Sequence, residues 1–192
     1  VIPDEETIDQ YGFPYIEEFD VSALNELCAL MSADIGLSRA LNVVIVDGFD
    51  EEEGAAGGTG GVAMNAGNAG VINSVGSPFS CVVSSWEAYI GDLPAKAANI
   101  IHEGAHFMSL PHTTEEEGSV FDIFEDTPEC AYDEYDTNGD QFVETDECGI
   151  VGGANNFLFW SDNEDPALRP YVMSEDQAWV MRRHPLFYSV DN

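Results

Sequence analysis

Basic side chains are almost missing from this chain. Its 192 residues include 37 Asp+Glu against 5 Lys+Arg, a formal net charge of −32, and Lys96 is the sole lysine. Such a polyanion repels phosphate, which makes nucleic acid and anionic membrane surfaces poor partners. Long apolar runs are missing too. None reaches the roughly 18 residues that a membrane-spanning helix needs. Internal repeats are absent, and so are CxxC spacing and a histidine-flanked nucleophilic cysteine. The glycine-rich run GAAGGTGG, residues 54–61, does not match GxxxxGK[ST] and has no basic residue near it. It reads as part of a flexible surface loop over 50–61 rather than a phosphate cradle. No signal peptide is visible. Val1-Ile2-Pro3-Asp4-Glu5-Glu6 is acidic and has the look of a processed or trimmed start.

What remains is an ordinary globular composition, 44% hydrophobic and 11% aromatic, long enough for one domain with a real core. The acids are spread along the whole chain, which favours a saline or calcium-rich habitat, where salt screens self-repulsion. Calcium binding and a preference for cationic substrates are the other readings of the same charge. Four cysteines suit two disulfides and an oxidising compartment. Cys130 and Cys148 flank one acidic loop and form the natural local pair, which leaves Cys28 with Cys81. Three pairings are open in principle, as are four buried free thiols.

The richest stretch is His102-Glu103-Gly104-Ala105-His106-Phe107-Met108-Ser109-Leu110-Pro111-His112. On a helix, His102 and His106 share one face and can hold one metal through two imidazoles. Glu103 is beside the first of them, placed to act as a base on a metal-activated water. Leu110 precedes a proline and is pushed towards extended backbone. The helix must therefore stop near Ser109, and the turn can bring in His112 as third ligand. Three protein ligands with a fourth position open mark a catalytic rather than a structural zinc site.

A second pattern runs from Asp136 to Glu147. Asp136, Asn138, Asp140, Glu144 and Glu147 take positions 1, 3, 5, 9 and 12 of a twelve-residue calcium loop. Phe142 is expected to offer its backbone carbonyl, and Val143 is the apolar residue at position 8. Gln141 replaces the usual glycine at position 6, and flanking EF-hand helices are not evident. A solvated acidic loop is the competing reading.

Between the motifs, Val21 to Ala33 has helical periodicity and Leu41 to Val46 reads as a buried strand. Gly70–Val75 and Ser80–Ser84 are further strand candidates. Asp92 begins a helix with Leu93 and Pro94 just inside it, running to about Met108. The chain beyond His112 is mostly irregular. A last helix spans about Ser174 to Arg183 and opens on a Ser174/Gln177 capping box. His184, in the basic run Arg182-Arg183-His184, reads as a surface residue.

HEGAHFMSLPH resembles HExxHxxGxxH, the long zinc motif of metzincin metallopeptidases. Thr113-Thr114-Glu115 and Asp126-Thr127-Pro128-Glu129-Cys130 look most like the pappalysin-like branch and related secreted bacterial enzymes. Asn156-Phe157-Leu158-Phe159-Trp160-Ser161-Asp162 resembles that branch's Met-turn segment. Ser174-Glu175-Asp176-Gln177 resembles the Thr-x-x-Gln that opens its last helix. The matches cover about residues 95–185. The resemblance implies an α/β (α+β) fold: a twisted mixed sheet with an active-site helix over about 1–112, and a loop-rich lower half over about 113–192. Two positions depart from the pattern. Ser109 stands where the clan has a left-handed glycine, at a cost of about 1–2 kcal/mol. Leu158 falls where the clan has its Met-turn methionine, with Met173 as rival.

The expectation is a secreted, periplasmic or cell-surface zinc endopeptidase, monomeric, acting on peptide or protein substrates. His102, His106 and His112 bind Zn²⁺, Glu103 is the general base, and a structural Ca²⁺ orders the loop from 136 to 147. The substrate would lie extended along a sheet edge, with Ser80–Ser84 the candidate strand. The alternative from another class is a calcium-stabilised binding or adhesion module with an inactive zinc site. A non-proteolytic zinc hydrolase is a third reading. Cleavage specificity and natural substrate lie beyond the sequence.

Overall fold

The computed structural model describes residues 15–17, 28–29, 41–46, 48–50, 61–63, 81–85, 92–161, 168 and 171–184. These form a mixed α/β protein. The strands are β1 (Tyr15–Glu17), β2 (Asn42–Val46), β3 (Gly48–Asp50), β4 (Gly61–Ala63) and β5 (Cys81–Ser85). The helices are α1 (Leu93–Phe107), α2 (Tyr132–Tyr135), α3 (Thr145–Cys148) and α4 (Glu175–Met181). None of the described helices is long and apolar enough to cross a membrane.

β1 pairs with β3 in parallel, while β5 is flanked by β2 in parallel and by β4 antiparallel. This corrects two expectations. The stretch read as one loop over 50–61 has strand at both margins, Asp50 ending β3 and Gly61 opening β4. And β5 is the middle of its sheet, so its two edges are already used for pairing. β2 also differs from the fully buried strand expected. Asn42 and Val44 are buried while Val43 and Ile45 are exposed, the two-residue alternation of a strand covered on one face. The candidate strand 70–75 lies outside the described residues. So does most of the 21–33 helix, whose described members Cys28 and Ala29 are helical.

α1 positions the site. Asp92 Oδ1 accepts the Ala95 N–H at 2.9 Å and caps the helix, with Pro94 in the first turn where no N–H is needed. Its buried stripe is polar: Lys96, Asn99, Glu103 and His106, at steps of three and four. Ser84 Oγ donates to Asn99 Oδ1 at 2.7 Å, fastening α1 to β5. Lys96 is only 5% exposed, and burial lowers its pKa.

The helix ends as a Schellman motif. Ser109 N–H donates to His106 O at 2.8 Å and Leu110 N–H to Ala105 O at 3.1 Å, while Leu110 and Ala105 pack together. The residue in the left-handed position is Ser109, at φ 75°. Its Oγ is buried without a hydrogen-bond partner.

Among the described residues, three apolar clusters stand out, two of them at this turn. Val82, Phe107 and Met108 join helix to sheet. Ala105, Leu110, Phe157 and Leu158 join helix to lower half, with Val180 and Met181 of α4 packed against them. Cys130, Val143, Cys148, Ala154, Phe159 and Leu168 make a separate lower core, capped by a bond from Trp160 Nε1 to Val143 O at 2.6 Å. Disulfides join Cys130 to Cys148 and Cys28 to Cys81.

Candidate metal centre

His102, His106 and His112 are brought together. They are the one group of three or more His, Cys, Asp or Glu among the described residues whose ligand atoms all lie within 4.8 Å of one another. Nε2 of His102 is 2.9 Å from that of His106 and 3.2 Å from that of His112. The His106 ring stands nearly perpendicular to that of His102, at 89°, and at 75° to that of His112.

What turns these nitrogens inward is the partner of each opposite ring nitrogen. His102 Nδ1 donates to Phe157 O at 2.7 Å, and His106 Nδ1 to Leu110 O at 2.7 Å. His112 Nδ1 bonds Glu115 Oε2 at 2.8 Å. A carbonyl can only accept, so Nδ1 of His102 and His106 carries the proton, and the neutral ring presents a bare lone pair at Nε2. Burial, followed by the neighbouring imidazoles of His106 and His112, pushes His102 down to about 3. Burial and His112 push His106 down to about 4. Both rings are neutral at physiological pH, the state in which imidazole is a ligand. Lone pairs facing one another at this range repel unless a cation lies between them. The group can hold a metal ion.

Glu103 follows His102 on α1 and is 6% exposed, in the same stripe as Asn99 and His106. The segment under the helix end supplies more than an acceptor. Leu158 is fully buried against Ala105 and Leu110, and its carbonyl accepts the Thr113 N–H at 2.9 Å, just after the third histidine. Met173 is 41% exposed.

The acidic loop is curled by its own side chains. Asp136 accepts from Gly139 N–H at 2.7 Å and Gln141 N–H at 3.2 Å; Asn138 Oδ1 accepts from Asp140 N–H, and Asp140 Oδ1 from Phe142 N–H. Glu147 Oε1 accepts from Thr137 N–H and Asn138 N–H, and its Oε2 from Glu144 N–H. Gln141 holds the left-handed turn at φ 79° that a glycine would take freely. Val143 points into the lower core. The loop's carboxylates do not gather in threes as the histidines do.

His184 is corrected. It is 4% exposed, its ring lies 6.1 Å from that of Phe107, and burial lowers its pKa. Chain position missed three further contributors: the carbonyls of Phe157 and Leu110, and the carboxylate of Glu115. Only Glu115 left a sequence signal, an acid three residues beyond a histidine. Comparison of the chain with known protein families, with curated proteins and with solved structures gave no match.

Proposed function

We propose that this chain is a secreted, zinc-dependent endopeptidase with a metzincin-like catalytic domain. The observation that carries the reading is the convergence of three Nε2 atoms whose rings are each anchored at Nδ1. Zinc–imidazole bonds of about 2.0–2.1 Å at tetrahedral angles separate ligand nitrogens by roughly 3.3 Å. The separations of 2.9 and 3.2 Å suit that ion. Nitrogen-only donors also disfavour calcium and magnesium, which take oxygen.

His102, His106 and His112 would hold the metal, and no fourth protein ligand joins them among the described residues. Zinc in such a site supplies Lewis acidity, bringing the pKa of a bound water towards about 7 and polarising a carbonyl. Glu103, one residue beyond the first ligand and shielded from bulk solvent, would take up a proton from water and pass it to the leaving amine. The α1 helix carrying two ligands, its left-handed stop at Ser109 and the buried Leu158 below it support the metzincin comparison. Among the described strands, an extended substrate would find its edge at β4, the edge strand packed against α1, rather than at β5, which is paired on both sides. Two disulfides support an extracellular or periplasmic site of action.

For the loop from 136 to 147 we propose a calcium ion of structural role. Its support is the curl that turns Asp136, Asn138 and Asp140 through successive backbone bonds, with Gln141 left-handed at position 6. Ion binding would draw the carboxylates together and relieve their repulsion.

The test is zinc content together with casein cleavage, with and without chelator. One zinc per chain and chelator-sensitive cleavage support the peptidase. One zinc per chain without cleavage by the parent favours the binding module with an inactive site.

A further inference from the structure

The three imidazoles are not anchored alike. His102 and His106 lean on backbone carbonyls, which stay in place whenever the fold does. His112 leans on a side chain, that of Glu115, which is 39% exposed. His112 also stands beyond the helix, after Pro111, so α1 does not fix its direction. We propose that Glu115 is the positioning residue of the metal centre, holding the His112 ring with Nε2 turned to the other two. This rests on the metal-site reading above.

The backbone of Glu115 is built to hold that carboxylate still. Its N–H donates to Val120 O at 3.0 Å, and its carbonyl accepts the Gly118 N–H at 2.9 Å, closing a tight turn. The turn is pinned to the disulfide-closed segment at two points: Val143 N–H donates to Glu116 O and Tyr132 N–H to Gly118 O, both at 2.9 Å. Gly118 has φ +56°, and a Cβ there would come within 2.8 Å of both Tyr132 N and Val143 Cγ1. Only glycine lets the turn lie this close. The lobe closed by Cys130–Cys148 therefore sets the place of Glu115, and Glu115 sets the ring of the third ligand.

The partner of a ligating histidine typically contributes roughly 10- to 100-fold in metal affinity. The test is zinc affinity by competition with a chromophoric chelator, on the parent, Glu115→Ala and Glu115→Gln, with Co²⁺ absorption spectra of each. Glutamine can still accept from Nδ1, so E115Q should lose little affinity and keep the parent's Co²⁺ spectrum. E115A should bind zinc roughly 10- to 100-fold more weakly with an altered spectrum. Gly118→Ala should also weaken zinc in the parent, and add little in the E115A background. Equal zinc affinity of E115A and parent overturns the proposal, and so does an E115Q loss as large as that of E115A. A parent that binds no zinc overturns instead the metal-site reading itself.

Discussion

Asn156 and Gln177 face each other as a buried amide pair. Asn156 Nδ2 donates to Gln177 Oε1 at 3.0 Å, and Gln177 Nε2 donates back to Asn156 Oδ1 at 3.4 Å. Each does a second job. Asn156 Oδ1 accepts the Leu158 N–H at 2.9 Å, and Gln177 Oε1 accepts the Ser174 N–H at 2.9 Å as part of the α4 capping box. The pair thus locks α4 to the segment whose Phe157 carbonyl orients His102. Asn156→Ala should cost about 1–3 kcal/mol by leaving a buried amide unsatisfied. It should also weaken zinc by slackening Phe157. A urea midpoint and zinc affinity both equal to the parent's would show that the pair is ornamental.

Glu103→Gln should keep zinc near one per chain and lower kcat/KM by roughly 10²–10⁴-fold, the range of a general base. Metal content and peptide turnover are measured on the same preparation. Parent-like turnover in the mutant would sink the assigned role.

Ser109→Gly should raise the thermal midpoint. Glycine takes φ 75° without strain and removes a buried hydroxyl that has no partner. The gain of about 1–2 kcal/mol is offset in part by glycine's greater freedom when unfolded, about 0.4–1 kcal/mol. A lower midpoint in the glycine form would mean the strain argument fails.

EGTA should lower the thermal midpoint in a way that calcium restores and zinc alone does not, and Asp136→Ala should abolish that response. At one hundred times Kd the expected stabilisation is about 2.7 kcal/mol. If the mutant still gains stability from calcium as the parent does, the ion binds elsewhere.

Acid should destabilise the metal-free protein before most carboxylates titrate. His102, His106 and His184 all have pKa values lowered below 6.5 in the folded state, so the unfolded chain binds more protons there. Their contribution is fully present above about pH 6.5 and falls as pH drops towards about 3 and about 4 for His102 and His106. Thermal midpoints of chelator-treated protein should decline from pH 7 to 5. A flat profile over that window contradicts neutral buried imidazoles.

Local chemistry was legible in the sequence wherever a few neighbouring residues decide the outcome. Asp92 and Pro94 start α1, the left-handed Ser109 ends it, and Ser174 with Gln177 opens α4 on the predicted box. Cysteines flanking one loop gave the local disulfide. What escaped depends on contacts between distant segments. His184 follows two arginines and reads as surface, yet α4 packs beside Phe107 and buries it. β4 is three residues long, GVA, too short for periodicity to register, and its place at the sheet edge comes from pairing with β5. The carbonyls that aim His102 and His106 are backbone atoms, which every residue has and no motif records.

The buried Lys96 has a consequence for how this chain meets proteases. Residues 97–168 contain neither Lys nor Arg. Two basic residues border that stretch: folding hides Lys96 inside α1, and the bond after Arg169 is an Arg–Pro bond. The three clustered histidines, the acidic loop and the Cys130–Cys148 bridge lie within a length that offers trypsin-like enzymes no internal site. Enzymes that cut after acidic residues face the opposite: Glu116, Glu117, Glu125 and Glu129 are all exposed there. The scarcity of basic residues thus also decides which proteases can cut this chain.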